Sequence, residues 1–252
     1  MTMPLKAKTL VCLALIAALA GCATVYNPAT QKKELILIDS MQEVQIGRGM
    51  SENIIKSEIA PLNDAQKQLL VNKIGQRIAQ ASDRRDIIYH FMVLDSRDLN
   101  AFALPGGYVY IYKGLLDKVG DQELAAILAH EVGHVAAKHA VKRMQSALGY
   151  NLLMGIAIAG FGKNDPALAQ QISGATDAVY SLLSKGYSRE DEFLADKLAV
   201  KYTLRAGYDP NGLVRALELL IKEKGPSGRI FEVLSDHPRM EERIRKIKEE
   251  IR

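Results

Sequence analysis

The sequence predicts an α+β protein that is mostly helical and contains one small antiparallel sheet. Apolar residues recur at helical spacing in several segments, for example at Leu69, Leu70, Ile74 and Ile78, which indicates amphipathic helices. Residues 87–112 are instead rich in β-branched and aromatic side chains, a composition typical of strands. The chain shows no internal repeat and no low-complexity segment.

Helices are expected on both sides of the strand-rich region. The first covers residues 32–59 and ends at Pro61, and Asn63 or Asp64 can cap the second. Asp121 is a plausible cap for the helix that follows the sheet. The helices expected after the strand-rich region cover residues 121–148, 166–185, 188–206, 210–224 and 238–252.

Three short strands are expected within the strand-rich region. They cover residues 87–94, 100–103 and 108–112. Residues 105–107 read Pro-Gly-Gly, a turn signal between the last two strands.

The first residues have the layout of a secretory signal peptide. Lys6 and Lys8 precede the apolar run 10–20, which is too short to span a bilayer, and small residues follow. The run ends in Leu-Ala-Gly-Cys at residues 19–22, which resembles the lipobox of bacterial lipoproteins. That resemblance implies cleavage before Cys22 and acylation of Cys22. An ordinary signal peptide is the alternative.

Cysteine usage and charge narrow the class of protein. Cys12 lies in the segment that cleavage removes and lipid would occupy Cys22, so no disulfide is expected in the mature chain. The net charge of +4 falls to +2 once Lys6 and Lys8 are removed, with 31 bases against 29 acids. This charge and the lack of tryptophan argue against a nucleic-acid partner.

A histidine pair on the helix after the sheet points to a metal site. The segment reads His130-Glu131-Val132-Gly133-His134. Residues four apart on a helix differ by about 40° of rotation and one turn of rise, so both imidazoles can bind one ion. Glu131 can reach a water at that ion, as in zinc metallopeptidases. The alternative is a pair of surface histidines on an amphipathic helix.

Catalytic zinc requires a third protein ligand and an open position for water. Glu192 and Asp196 are four residues apart on the helix expected over 188–206. One carboxylate can bind the ion, and the other can accept a hydrogen bond from a ligating imidazole. The alternative for these acids is a solvated charged face.

Together, these motifs resemble the M48 family of zinc metallopeptidases. The resemblance rests on His130-Glu131-Val132-Gly133-His134 followed by Glu192-Phe193-Leu194-Ala195-Asp196, and residues 40–47 and 100–116 also look like family segments. It implies a zincin-like domain over residues 32–252, after a signal peptide (1–21) and a tether (22–31). It also implies one zinc ion per chain, with Glu192 as the third ligand and Glu190 and Asp191 outside the ligand set. Asp196 would accept a hydrogen bond from one of the ligating histidines.

The sequence also leads to predictions for one glycine and two further histidines. Gly133 is costly in mid-helix by about 1 kcal/mol relative to alanine, so we expect another backbone or side chain to approach it closely. His139 lies five residues after His134, off the metal-binding face, and is expected to be structural. His90 alternates within a strand and is expected to be non-catalytic.

Residues near the C-terminus and in the sheet complete the expected site. In M48 peptidases a His-Pro segment and a following arginine face the cleft, which here implies His237 and Arg243. His237 would donate to the oxyanion or, alternatively, occupy the open zinc position and silence the enzyme. Arg243 would hold substrate or brace the site. Asn100 and Ala101 are expected on an edge strand that pairs with extended substrate.

Residues 144–161 carry no charge and are glycine-rich towards their end. A buried or flexible flap beside the active site is the first interpretation of the stretch 149–162. A membrane-dipping or partner surface is the second.

The sequence thus predicts a zinc-dependent endopeptidase that cleaves misfolded or unassembled envelope proteins. The lipid on Cys22 would hold it on a membrane. Because Ala23 follows Cys22, the enterobacterial sorting rule implies the outer membrane, facing the periplasm. In a Gram-positive host the anchor would instead place the chain on the outer face of the cell membrane. The alternative function is a chaperone or assembly factor for envelope proteins with low or self-inhibited protease activity, working with the envelope assembly machinery.

Overall fold

Helices dominate the protein, as the sequence predicts. The computed structural model describes residues 24–57, 59–146, 186–223 and 240–252. In chain order the elements are β1 (Thr24–Asn27), β2 (Lys32–Leu35), α1 (Ser40–Ser57), α2 (Ala65–Ala81), β3 (His90–Leu94), β4 (Ala101–Leu104), β5 (Tyr108–Tyr112), α3 (Lys113–Leu116), α4 (Asp121–Ala136), α5 (139–146), α6 (Arg189–Arg205), α7 (Asn211–Glu223) and α8 (Met240–Ile251). The helix expected over 166–185 lies outside the described residues.

The main sheet has three strands in the order β3-β5-β4. β4 is antiparallel to β5, with Ala101 opposite Ile111, as expected for strands joined by the turn at 105–107. β3 is parallel to β5, with His90 opposite Tyr108, so the prediction of a wholly antiparallel sheet is wrong for this pair. The reason is that the chain passes from β3 to the far edge of the sheet before β5 fills the centre.

The N-terminal region differs from the single helix predicted over 32–59. Strand β2 pairs with β1 in an antiparallel hairpin, and α1 begins only at Ser40. Asp39 and Gln42 explain this start. Asp39 Oδ1 accepts the Gln42 N–H at 2.8 Å, and Gln42 Oε1 accepts the Asp39 N–H at 3.0 Å. Such reciprocal capping ends the non-helical segment. The range 22–31, expected as a tether, contains strand β1.

The helix predicted over 121–148 is interrupted. α4 ends at Ala136, and Lys138 adopts a left-handed φ of 55°. A non-glycine residue rarely takes this conformation, and it redirects the chain before α5 begins at His139. Helical spacing counted from α4 therefore does not predict the direction of the side chains on α5.

Helix α4 lies at the centre of the molecule. It packs against α2, α6, α7 and β4, and every residue from Leu124 to Ala136 is buried. A helix that is apolar on all sides belongs in a core rather than at a surface. The polar side chains His130, Glu131 and His134 are thus held in an apolar surrounding. Within the described parts of the chain, no helix is both long and apolar enough to cross a bilayer.

One buried ion cluster connects α1 to the C-terminal end of α4. The Glu43 carboxylate, 1% exposed, accepts hydrogen bonds from Arg84 at 2.8 and 2.7 Å and from Lys138 at 2.7 Å. It also accepts the Gly106 N–H at 3.0 Å, in the turn that joins β4 to β5. Arg84 in turn donates to the Val135 carbonyl at 3.0 Å. The cluster therefore fixes the sheet turn and the end of α4 together.

Replacement of Glu43 by glutamine should strongly destabilise the fold. Loss of one partner leaves the buried Arg84 with the exposed Asp86 carboxylate, at 3.4 Å, as its counter-charge, and breaking such a buried pair costs about 3–5 kcal/mol of unfolding free energy. Glu52→Gln on the same helix is the matched control, because Glu52 is 52% exposed and pairs with Arg48 at 3.3 Å. That change should cost less than about 1 kcal/mol. Denaturant unfolding of both variants measures the difference, and equal losses would contradict the role of the cluster.

The same carboxylate predicts a pH dependence. Burial acts to raise the pKa of Glu43, but Arg84 and Lys138 bring it below its ordinary value of 4.5. A group with a lowered folded-state pKa stabilises the fold above its unfolded pKa, and this stabilisation is lost as the pH falls through the folded value. The stability difference between wild type and Glu43→Gln should therefore shrink below about pH 4.5. A difference that widens on acidification would contradict this assignment.

Candidate metal centre and active site

Helix α4 carries both predicted histidine ligands on one buried face. His130 and His134 are each 3% exposed, and their Nε2 atoms lie 3.0 Å apart. Because residues four apart on a helix lie almost above one another, the two rings converge, with centroids 4.6 Å apart. Glu131 lies between them in sequence and is 5% exposed.

Helix α6 supplies the third donor. The Ser188 hydroxyl accepts the Asp191 N–H at 3.2 Å, so α6 begins just before Glu192 and holds this side chain at its first turn. Glu192 Oε2 lies 3.4 Å from His130 Nε2, and Oε1 lies 3.4 Å from His134 Nε2. One ligand atom from each of the three residues lies within 4.8 Å of the others. The three residues can therefore form a metal site.

The donor set fits a divalent cation. Two imidazole nitrogens and a carboxylate oxygen are ligands that zinc accepts at about 2.0–2.1 Å in tetrahedral geometry, which places neighbouring donors about 3.3 Å apart. The separations of 3.0, 3.4 and 3.4 Å agree with this spacing. Three protein ligands also leave a fourth position for water or substrate, as in catalytic rather than structural sites.

Gly133 lies where α4 and α6 approach most closely. A Cβ atom at this position would lie 3.1 Å from the Ala195 carbonyl oxygen and 3.3 Å from Leu198 Cβ. Ala195 is part of the turn of α6 between Glu192 and Asp196, so a side chain at residue 133 would push the third ligand away. The close approach expected from the sequence is confirmed.

Asp196 contacts the side of the His130 ring that faces away from the metal-binding nitrogen. Its Oδ1 lies 3.0 Å from His130 Nδ1, the ring nitrogen that faces away from Glu192. Arg243 on α8 holds Asp196 with two hydrogen bonds, from Nε at 2.8 Å and from Nη2 at 2.6 Å. Its Nη1 lies 3.2 Å from Glu192 Oε2. Arg243 is 1% exposed, so the geometry favours bracing of the site over contact with substrate.

The charges around the centre favour a cation there. Burial alone lowers the pKa of His130, but hydrogen bonds to Asp196 and Glu192 raise it to about 9. Burial acts to raise the pKa of Asp196, yet the Arg243 charge holds it below its ordinary value. These carboxylates stabilise positive charge at the histidines, and a bound metal ion supplies that charge directly.

Glu131 lies in a different environment from the other acids. Burial raises its pKa to about 7, while the charge of His130 lowers it and that of Glu192 raises it. The backbone of Ala103 on β4 also acts to lower the pKa of Glu131. A carboxyl group with such a pKa is suited to both accept and donate a proton near neutral pH.

His139 does not lie apart from the metal face, contrary to the expectation from its spacing. Its Nδ1 is 2.8 Å from His134 Nδ1, and its Nε2 is 3.3 Å from Asp191 Oδ1. The left-handed turn at Lys138 brings it there, so helical spacing was the wrong guide. Burial lowers the pKa of His139 to about 4, which keeps the ring neutral. Asp191 lies beside the site and outside the group of described residues that could hold an ion.

Tyr187 is a neighbour of the metal centre that sequence reasoning missed. Its ring stacks on that of His134 with centroids 4.2 Å apart and an interplanar angle of 20°. Burial raises the pKa of its hydroxyl, so the group stays protonated. Its position directly before the cap Ser188, five residues before Glu192, was the only signal in the sequence that could have pointed to it.

The edge of the sheet borders the site at β4. Among the described strands, β4 has a neighbour on one side only. Asn100 and Ala101, the predicted substrate-binding residues, are 4% and 1% exposed, and the Asn100 carbonyl accepts the Tyr112 N–H at 2.9 Å. The residue of this strand whose backbone influences Glu131 is Ala103, which acts to lower its pKa. Strand alternation was the missed signal, because Ala103 shares the face of Ala101.

Several predicted features lie outside the described residues. They are the lipidation site Cys22, the cleft residue His237 and the apolar stretch 149–162. His90 is exposed on β3 and stacks on Tyr108, with ring centroids 4.7 Å apart. Glu190 is exposed at the start of α6.

Gly133→Ala should fail to stabilise the protein although alanine is the better helix former. An open helical glycine gains about 1 kcal/mol on this change, and Gly49 on α1 is such a control because its Cβ would meet nothing within 4 Å. At Gly133 the added methyl group presses on the backbone of Ala195. The unfolding temperature should rise for Gly49→Ala and not for Gly133→Ala. Gly133→Ala should also bind the metal ion more weakly. Equal gains in both variants would refute the constraint.

The chain resembles known metalloproteases over most of its length. The model of peptidase family M48 matches residues 65–251. Metalloprotease LoiP of Escherichia coli (strain K12) is 31% identical over 217 residues, which cover 84% of this chain and 81% of LoiP.

Two further relatives from the same organism differ in how much of them is matched. The beta-barrel assembly-enhancing protease is 29% identical over 217 residues, which cover 81% of this chain but only 42% of that protein. Metalloprotease YcaL is 28% identical over 187 residues, 71% of each chain. With its matched residues and its two-histidine, one-glutamate centre, the chain belongs to peptidase family M48, a family of metal-dependent proteases.

Proposed function

We propose that this chain is a zinc-dependent endopeptidase of the bacterial cell envelope. The observation that carries the proposal is the buried convergence of His130, His134 and Glu192, with 3.0–3.4 Å between donor atoms and Glu131 beside them. An N,N,O donor set with an open fourth position is the arrangement of hydrolytic zinc enzymes.

In this proposal each residue of the centre has one task. His130, His134 and Glu192 hold the ion through Nε2, Nε2 and a carboxylate oxygen. Asp196 and Arg243 keep His130 and Glu192 in place. When bound, the zinc ion acidifies water and polarises the scissile carbonyl group.

Glu131 moves the proton. Its carboxylate accepts a proton from the attacking water as the water oxygen bonds to the peptide carbonyl carbon. It then delivers this proton to the leaving amine nitrogen as the carbon–nitrogen bond breaks. His237 either donates a hydrogen bond to the oxyanion or covers the open position and holds the enzyme inactive, in which case His237→Ala raises activity.

Substrate binding is assigned to the strand next to the site. An extended peptide can add to the outer edge of β4, beginning at Asn100 and Ala101, through backbone hydrogen bonds that depend little on side chains. Ala103 on the same strand supports this, because its backbone acts to lower the pKa of Glu131, so a peptide on β4 would lie close to the proton acceptor. Such binding suits a protease that acts on varied unfolded polypeptides.

The location follows from the N-terminal motif. Acylation of Cys22 would hold the mature chain on a membrane, and Ala23 favours the outer membrane with the domain facing the periplasm. Misfolded or unassembled envelope proteins are then the accessible substrates. One relative is named for beta-barrel assembly, which supports a link with the envelope assembly machinery.

The same relative favours one alternative, a chaperone or assembly factor with low or self-inhibited proteolysis. The two functions differ in whether turnover matters. If a Glu131→Gln protein rescues the phenotype of a deletion strain, the assembly role stands without catalysis.

Glu131→Gln should abolish peptide cleavage while zinc stays bound. Loss of a general base lowers turnover by about 10²–10⁴-fold, whereas the three ligands are intact. Casein cleavage and zinc content, measured on the mature chain, give both readouts. Glu190→Gln is the matched control, since it removes an exposed acid near the third ligand and should leave both values unchanged. Retained turnover in Glu131→Gln would sink the assignment.

Radiolabelled palmitate should label the wild-type chain in cells and not a Cys22→Ser variant. Acylation requires the thiol of the residue that becomes the N-terminus, and serine does not offer one. The control is Cys12→Ser, which changes the segment removed by cleavage and should leave labelling intact. An unlabelled wild type would contradict the lipid anchor without touching the metal site.

A further inference from the structure

The two histidine ligands have different partners behind them. His130 Nδ1 faces the Asp196 carboxylate at 3.0 Å. His134 Nδ1 faces a second imidazole, His139 Nδ1, at 2.8 Å. Both rings of this pair are buried, at 3% and 2% exposure, and their planes meet at 70°. The contact is a hydrogen bond between two nitrogens, so one nitrogen must carry the proton and the other must accept it.

The direction of this hydrogen bond follows from the metal site. His134 Nε2 lies 3.0 Å from His130 Nε2 and 3.4 Å from Glu192 Oε1, so it must present its lone pair to an ion held there. A neutral imidazole with a bare Nε2 carries its proton on Nδ1. His139 Nδ1 must then accept, and the proton of His139 lies on Nε2, 3.3 Å from Asp191 Oδ1.

We propose that His139 is a positioning residue of the metal centre, which accepts the Nδ1 proton of His134 and so presents the His134 Nε2 lone pair to the ion. This inference rests on the proposed metal site. The Asp191 carboxylate, 38% exposed, lies on the far side of the His139 ring, with Oδ1 3.3 Å from Nε2, but the contact lacks hydrogen-bond geometry. A metal-ligating histidine usually donates its other ring proton to a carboxylate, a carbonyl or water, and here a neutral imidazole takes that place.

The fold holds His139 in position by two independent means. Lys138, which makes the left-handed turn before it, is tied to the buried Glu43 carboxylate at 2.7 Å. Tyr187 stacks on His134 at 4.2 Å and lies 5.7 Å from the His139 ring, which restricts rotation of both imidazoles. The His139 ring is therefore fixed by α1 and by the residue before α6, not only by its own helix.

Zinc affinity of the full mature chain tests the proposal, measured by competition with a chelator of known strength. His139→Phe keeps a flat ring but removes the acceptor, and should weaken zinc binding by about 10–100-fold. His139→Asn places an amide oxygen close to where Nδ1 lies and should restore most of that loss. His90→Asn is the control, because His90 is an exposed histidine on β3, and its affinity should equal that of wild type.

A merely structural His139 gives a different pattern. Unfolding temperatures of the zinc-free proteins would then fall for both His139 variants while zinc affinity stays at the wild-type value, and this result would overturn the proposal. Wild-type zinc binding separates this failure from that of the proposed function. If wild type binds no zinc, the metal site itself is wrong. If it binds zinc and His139→Phe binds equally well, only the positioning role is wrong.

The wild-type protein offers a readout that needs no variant. Long-range ¹H–¹⁵N correlation spectra of the zinc-loaded chain report which nitrogen of each imidazole carries the proton. We expect protons on Nδ1 of His134 and on Nε2 of His139. A proton on Nδ1 of His139 would contradict the proposal even if His139→Phe does not fold.

Discussion

The metal centre depends on the close packing of α4 against α6 at Gly133. With no side chain there, the backbone of Ala195 comes within contact distance, since an added Cβ would lie 3.1 Å from its carbonyl oxygen. Glu192, three residues before Ala195, and Asp196, the residue after it, then reach the two nitrogens of His130, at 3.4 and 3.0 Å. A larger residue would separate the ligand on α6 from those on α4.

A charged site in an apolar core requires compensation, and the structure provides it from three directions. Arg243 on α8 neutralises Asp196 and contacts Glu192 at 3.2 Å. The backbone of Ala103 on β4 acts to lower the pKa of Glu131. At the C-terminal end of α4, the Glu43 carboxylate pairs with Lys138, whose left-handed turn places His139 beside the site. Buried charges are tolerated when they are paired and hydrogen-bonded, so the surrounding elements are part of the site.

Local sequence patterns predicted features that lie on a single helix or strand. Contacts between elements depend on the tertiary fold, and some of these were not predicted from the sequence. The spacing of His130 and His134 suffices for convergence because both lie on one helix. The choice of Glu192 over its acidic neighbours came from the family resemblance. The contact of His139 was missed because it needs a left-handed Lys138, which helical periodicity does not reveal. The parallel pairing of β3 with β5 was missed because strand order is a tertiary property.

The most direct test of this account is the position of zinc itself. Crystals of the zinc-loaded mature chain, measured on both sides of the zinc absorption edge, locate the ion by its anomalous signal. We predict one strong peak between His130 Nε2, His134 Nε2 and the Glu192 carboxylate, at about 2.0–2.2 Å from each. A peak elsewhere, or one from which Glu192 is turned away, would contradict the claim that the contact between α4 and α6 builds the catalytic centre.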